Sequence, residues 1–308
     1  MNSISWIGAA LAATLGISAQ ADPRVVADIA PVHSLVAAVM EGAGAPALIV
    51  PQSASPHGLT LRPSQAQDLA EAEIVFTVGE DLVPWLIEAA DTLAPNAVVV
   101  ELGELPGLSR PPLRDGGVFE AEHDADPGHD HDHAHGDPHY WLNPGNAALW
   151  ADAIADALAV ADPSKAALYR ANAAMLKTDL VVLEEEVNAI VAPARGRPFV
   201  VFHDAYGHFE QRFNMPAAGA VALSDAARPG PARIAEIQNL LRRANAACVF
   251  GEPQFPDGLL HLVTEGANAQ IGTLDPLGAT LTPGPTLYPA LLRAMASSLA
   301  DCLAPRAK

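Results

Sequence analysis

Cysteine is almost missing from this chain: 308 residues hold only Cys248 and Cys302. Two isolated cysteines without a C-x-x-C pair cannot build a thiolate metal site by themselves, which excludes sulfur as the basis of a metal centre. In an oxidising compartment the even count suggests one disulfide, and in a reducing one it leaves two buried thiols. Positive charge is scarce as well. Against 36 Asp and Glu there are 17 Lys and Arg, a net charge of -19, and such a field repels nucleic acid and anionic lipid. Beyond the first 21 residues no run is long and apolar enough to span a bilayer. Nor is there an H-E-x-x-H helix to set a general base beside a metal.

What is present begins with an apolar leader, MNSISWIGAALAATLGISAQA, ending in Ala19-Gln20-Ala21. It reads as a secretory h-region with an A-x-A cleavage site. No Lys or Arg precedes Arg24, so the terminal amine is the only positive charge of the n-region. Export is expected, with residues 1–21 as signal peptide and a mature chain starting near Asp22 or Pro23.

Short β-branched runs then alternate with helical patterns. Arg24 to Ile29, Ala47 to Val50, Ile74 to Val78 and Ala97 to Leu102 read as buried parallel strands, with helices near His33 to Gly42, Ser64 to Ala72 and Pro84 to Leu93. A helix follows from about Pro144 to Val160, and Asp162-Pro163 signals the start of another. From Pro163 to Ile190 no breaker interrupts the helical pattern, and 28 residues would span about 42 Å. Strands at Phe199 to Phe202, Ala218 to Leu223, Ala247 to Phe250 and Ala269 to Thr273 repeat the alternation. The fold class is therefore α/β: two Rossmann-like lobes, residues 22–161 and 194–308, joined by one long rigid helix within 162–193. In open parallel sheets ligands sit beyond the carboxyl ends of the strands, so a shared site would lie between the lobes.

Six of the eleven histidines fall between His123 and His139, interleaved with Asp124, Asp126, Asp130, Asp132 and Asp137. Imidazoles beside carboxylates attract Zn2+, Ni2+ and Cu2+. Pro127, Gly128, Gly136 and Pro138 break any periodicity, so the stretch 120–138 reads as a solvated loop. His123, His129, His131, His133 and His135 are candidates for a weak secondary metal site. A defined site requires histidines in ordered segments. His57 lies after the second strand in SPHGLTLRPS, His139 in DPHYWLNP, and His203 directly after a strand in FVVFHDAYGHFE. Asp275 follows another strand in GTLDPLG. Three imidazoles plus a carboxylate or water match the tetrahedral preference of Zn2+. Taken singly, a histidine after a strand is more often a hydrogen-bonding residue, and an Asp before Pro a turn former.

The segments PHGLTLRPSQ, DPHYWLNP, FHDAYGHFE, GEPQF and GTLDPLG, in this order, resemble the zinc-binding periplasmic components of ABC importers, the ZnuA-like branch of the cluster A-I metal-binding proteins. The similarity runs from about Val25 to Leu303. It implies metal between two α/β lobes, with His57, His139 and His203 as Zn2+ ligands and Asp275, or a water displacing it, at the fourth position. It also implies a disulfide between Cys248 and Cys302, a permease in the inner membrane as partner, and a monomer with no enzymatic activity. Manganese- or iron-binding relatives are the alternative, disfavoured by His at 203 where an oxygen donor is expected. A zinc hydrolase is a further alternative: His133-Ala-His135-Gly-Asp137 approaches an H-x-H-x-D-H arrangement, but Pro138 stands where the last His is needed. His33, His208 and His261 are expected in packing or surface roles, His33 being the one that could approach the cleft. Asp204, adjacent to His203, is a candidate partner for it, although neighbouring side chains in extended chain point apart.

Overall fold

The computed structural model describes residues 22–112, 114, 118–119, 136–222 and 229–304. The β-branched runs form β1 (Val25–Ala27), β2 (Ala47–Leu48), β3 (Ile74–Thr77) and β4 (Val98–Glu101) in the first half. In the second half they form β5 (Phe199–His203), β6 (Gly219–Ala222), β7 (Cys248–Gly251) and β8 (Gln270–Thr273). Between them lie α1 (Ala30–Val39), α2 (Pro63–Ala70), α3 (Pro84–Leu93), α4 (Pro144–Ala161), α5 (Ala166–Val191), α6 (Gly207–Phe213), α7 (Pro231–Arg243), α8 (Gly258–Thr264) and α9 (Leu287–Leu303). Several of these helices begin on proline in the first turn, where the missing N–H costs nothing. That is why α1 starts at Ala30, earlier than its apolar pattern announces.

Both sheets are wholly parallel and share one topology, β2-β1-β3-β4 and β6-β5-β7-β8. Each chain path leaves its first strand to one side and returns on the other, opening a crevice at the carboxyl ends of the two central strands. The central strands are fully buried, as expected for parallel sheets. The expectation of burial fails at β4: Val98 is 58% exposed, because β4 is an edge strand covered incompletely. An apolar run does not report its place in the sheet. The edge strand β8 is likewise largely open to solvent.

Asp162 accepts from the backbone N–H of Ser164 (3.1 Å) and opens a short 3-10 turn, Pro163–Lys165, from which α5 continues. With 26 residues, α5 is about 39 Å long. Its buried stripe of Tyr169, Asn172, Ala173, Leu180, Leu183, Val187 and Val191 recurs every three or four residues. Along that stripe it packs on α1 and α4 of the first half and on α6 and α9 of the second. Asn172 also donates to the carbonyls of Val39 and Glu41 (both 2.9 Å), closing the end of α1. A single apolar core runs from β1 and β3 through Trp141, Trp150 and Tyr288 to Phe199 and Phe250. A smaller one lies on the other face of the second sheet, under α7 and α8. Trp141 donates to the Pro276 carbonyl (2.7 Å) and Tyr288 to the Trp141 carbonyl (2.7 Å), stitching the halves together. Cys248 and Cys302 form a disulfide between β7 and α9. Closing a loop of that span, 54 residues, stabilises by about 4 kcal/mol on a chain-entropy account.

The strand-to-helix connection leading out of the first half is tied to the second half through Arg114. Its guanidinium donates to Asp204 (Nε, 3.0 Å) and Glu210 (Nη1, 2.8 Å) and lies 3.6 Å from the Phe119 ring centroid. Phe119 in turn donates its N–H to the Ala218 carbonyl (3.0 Å) beside β6. Asp204 is thus committed to Arg114. Burial raises the Glu210 carboxyl above its ordinary range, with the Arg114 hydrogen bonds opposing that rise. Arg114→Met leaves the buried Glu210 and the half-buried Asp204 without their cation and should cost about 3 kcal/mol near neutral pH. A carboxyl whose folded pKa is raised is penalised above that pKa and not below its unfolded value of about 4.3. The deficit should therefore shrink on going from pH 7.5 to pH 5. Urea unfolding of both proteins at the two pH values measures this, and equal deficits would refute the ion-cluster account.

Candidate metal centre

Three segments distant in sequence meet at the crevice. His203 is the last residue of β5, at the carboxyl end of a central strand. His57 comes from the loop after β2, whose shape is held by the Trp85 indole donating to the Pro56 carbonyl (2.8 Å) and by the His57 N–H donating to Ser55 Oγ (3.2 Å). His139 precedes a 3-10 turn, Tyr140–Leu142, that leads into α4, where Asn143 caps the first turn through Gly145 N–H (2.8 Å). One ring nitrogen of each histidine lies within 4.8 Å of the others, and the ring centroids are 5.4 to 6.3 Å apart. Tetrahedral zinc places its nitrogen ligands about 3.4 Å apart, so closure onto an ion requires shifts of no more than about 1.4 Å. The three rings, with Trp141, Gln254 and Phe255, line a cavity of about 20 Å³, more than the roughly 10–15 Å³ that one water needs. His139 and His203 are each 5% exposed, and His57 is half-buried.

Two of the rings are braced by buried carboxylates. Nδ1 of His139 is 2.6 Å from Asp137 Oδ1, and Nδ1 of His203 is 2.6 Å from Glu252 Oε1. An ionised carboxylate only accepts, so Nδ1–H is the donor in each pair, and in the neutral imidazole that metal binding requires Nε2 carries the lone pair. Burial pushes the Asp137 carboxyl up, but the charge and hydrogen bonds of His139, with the charge of His208, outweigh it and bring it down to about 2. Asp137 is itself anchored: its N–H donates to the Pro111 carbonyl (3.0 Å), and its carbonyl receives His208 Nε2 (2.8 Å). The start of α6 comes so close to it that a Cβ on Gly207 would sit 2.7 Å from Asp137 Oδ2. Glu252 stands one residue past β7, the strand next to β5, beside Tyr206. Burial, then the negative charge of Glu252, pushes the Tyr206 hydroxyl well above its ordinary range, so it stays a neutral donor.

Asp275 is held by its own loop. Its carboxylate accepts from the N–H groups of Leu277 (3.1 Å), Gly278 (2.9 Å) and Ala279 (2.5 Å), and only the three histidines form the compact ligand group among the described residues. Asp204, weighed as a partner for His203, points to Arg114 instead, as the alternation of extended chain dictates. His33 bonds the Pro46 carbonyl (3.0 Å) and stays outside the ligand group. His208 packs on Tyr140 and holds the Asp137 loop, and His261 is exposed on α8. His123, His129, His131, His133 and His135 lie outside the described residues, as does the leader 1–21. Sequence reasoning missed the bracing role of Glu252. The available signal was a glutamate directly after a strand, at the sheet end where ligands gather.

The family model described as ZnuA, zinc-uptake complex component A, periplasmic, matches residues 25–302. The high-affinity zinc uptake system protein ZnuA of Brucella abortus (strain 2308) is 42% identical, covering 98% of this chain and 98% of its own. The protein of the same description from Paracoccus denitrificans (strain Pd 1222) is 38% identical over 97% of this chain and 98% of its own. Among solved structures, the periplasmic zinc binding protein TroA from Treponema pallidum matches with a TM-score of 0.74, at 20% identity over 91% of this chain and 99% of that one, a likeness of fold. A trio of imidazoles, two of them buried and braced by carboxylates, between two parallel-sheet lobes, in a chain that this family model and these relatives match almost end to end, establishes that the chain belongs to the ZnuA family of periplasmic zinc-uptake components.

Proposed function

We propose that this protein captures Zn2+ in the periplasm through His57, His139 and His203 and delivers it to the permease of an ABC importer in the inner membrane. The observation that carries the proposal is the convergence of three imidazoles on one cavity, two of them held by buried carboxylates. Three neutral nitrogen donors suit Zn2+ better than Mn2+, which prefers oxygen. The charge bookkeeping agrees: a dication beside two buried carboxylates makes a locally neutral centre. With the Asp275 oxygens taken by backbone N–H groups, a water is favoured as the fourth ligand. Because the ligands come from both halves, zinc cross-links them. The continuous core and α5 restrict the response to loop shifts and small tilts.

The His/Asp tract enters as a weak collector. Its last described residues, Gly136 and Asp137, lie within three residues of His139, and Gly136 takes a left-handed φ of 72° that turns the chain into the site. A tethered array of His123, His129, His131, His133 and His135 raises the zinc concentration near the tight site by the effective-concentration argument.

Zinc stoichiometry and affinity, measured by competition with a chromophoric chelator, test the ligand set. His203→Ala should lose the tight zinc while loosely held metal persists; retention of the tight zinc would move the site elsewhere. Glu252→Gln keeps the shape of the brace and removes its charge, and should weaken zinc binding about 10- to 100-fold with unchanged stoichiometry. An unchanged dissociation constant would show the brace to be inert. Deleting residues 121–136 should leave the tight site intact and slow growth only under zinc scarcity; equal growth at every zinc level removes the collector role.

A further inference from the structure

Gln254, two residues beyond Glu252, lines the same cavity as the three histidines. Its Nε2 donates to the Gln52 carbonyl (3.2 Å) and to Asp275 Oδ1 (3.3 Å), so both amide N–H groups are committed. Its Oε1 is buried and has no hydrogen-bond partner among the described residues. Reversing the amide would set an oxygen against two acceptors, so the orientation is decided by the neighbours. A buried carbonyl oxygen with both lone pairs unused is uncommon in a native interior and marks a place that a donor or a cation completes.

Resting on the function proposed above, we infer that Gln254 is the residue that holds the fourth zinc ligand: its amide oxygen accepts a hydrogen bond from a zinc-bound water. Asp275 acts one step further out. Its carboxylate is shaped by the Leu277–Ala279 backbone and orients the Gln254 amide. Gln254 is therefore a positioning residue for the water and not itself a zinc ligand. The same amide nitrogen reaches the first half at Gln52, so the water, the Asp275 loop and the β2 loop form one chain of contacts. Gln52 adds its own link, donating from its side chain to the carbonyls of Gly278 and Leu281 (3.0 Å to the latter).

The test compares Gln254→Met with Gln211→Met in the purified protein loaded with Zn2+ or Co2+. Gln211→Met removes a hydrogen bond between the halves, Ser109 Oγ to Gln211 Oε1 (3.0 Å), that lies outside the cavity, so it reports a merely structural effect. Gln254→Met should release zinc to excess chelator about tenfold faster, the loss of one hydrogen bond. Its Co2+ form should show shifted visible bands and bind thiocyanate in place of water at about tenfold lower concentration. Gln211→Met should keep the Co2+ spectrum and thiocyanate response of the unsubstituted protein. A Gln254→Met protein with an unchanged Co2+ spectrum and thiocyanate response overturns the inference, whatever its stability, as does a Co2+ centre in the unsubstituted protein without an exchangeable water. If the unsubstituted protein holds no tight zinc sensitive to His203→Ala, the functional proposal itself fails, and the inference with it.

Discussion

Two carboxylates buried against two imidazoles set the terms for everything around them. Taking Asp137 and Glu252 out of water is tolerable only because each accepts from an imidazole Nδ1–H, and Asp137 also from the His139 backbone N–H (3.0 Å). That pairing does two jobs at once. In the neutral imidazole it selects the tautomer in which Nε2 keeps its lone pair, and it leaves negative charge buried behind the rings. Such an arrangement is poised for a dication.

The fold supplies the positions for these groups with few residues to spare. Parallel sheets gather the carboxyl ends of their strands on one side, and the common 2-1-3-4 order places a crevice between the central pair. His203 and Glu252 sit at that crevice because β5 and β7 are neighbours, so residues 49 apart in sequence come within hydrogen-bond distance. The first half contributes His57 and His139 from connecting loops, held by Trp85, Pro111 and His208. The helix α5 and the apolar core through Trp141 and Tyr288 keep the halves in one relation. Under the proposed function, histidines on loops carried by a rigid frame let an ion enter by local motion without opening a core.

Arg114, Gln52 and Gln254 show how the halves communicate around the site. Each crosses from one half to the other with polar contacts: Arg114 to Asp204 and Glu210, Gln52 to the Gly278 and Leu281 carbonyls, Gln254 to the Gln52 carbonyl. Polar links of this kind can be exchanged at modest cost, whereas the apolar core cannot. The region beside the cavity is therefore where small rearrangements on loading are cheapest.

The amino-acid sequence by itself determined the alternation of strands and helices, the long α5 with its Asp162 start, and the few ordered histidines able to act together. These follow from local rules: hydrophobic period, capping chemistry and the placement of proline and glycine. Only the tertiary structure decided which groups touch. Glu252 and not Asp204 braces His203, because adjacent residues of a strand face opposite ways while the neighbouring strand delivers Glu252 to the same end. Asp275 turns its oxygens to its own loop, which no spacing announces. The exposure of Val98 on β4 was equally hidden, since a valine run reads the same at the edge of a sheet as at its centre. Pairing across a parallel sheet joins residues whose separation is set by the whole intervening helix and loops, and a local pattern carries no record of it.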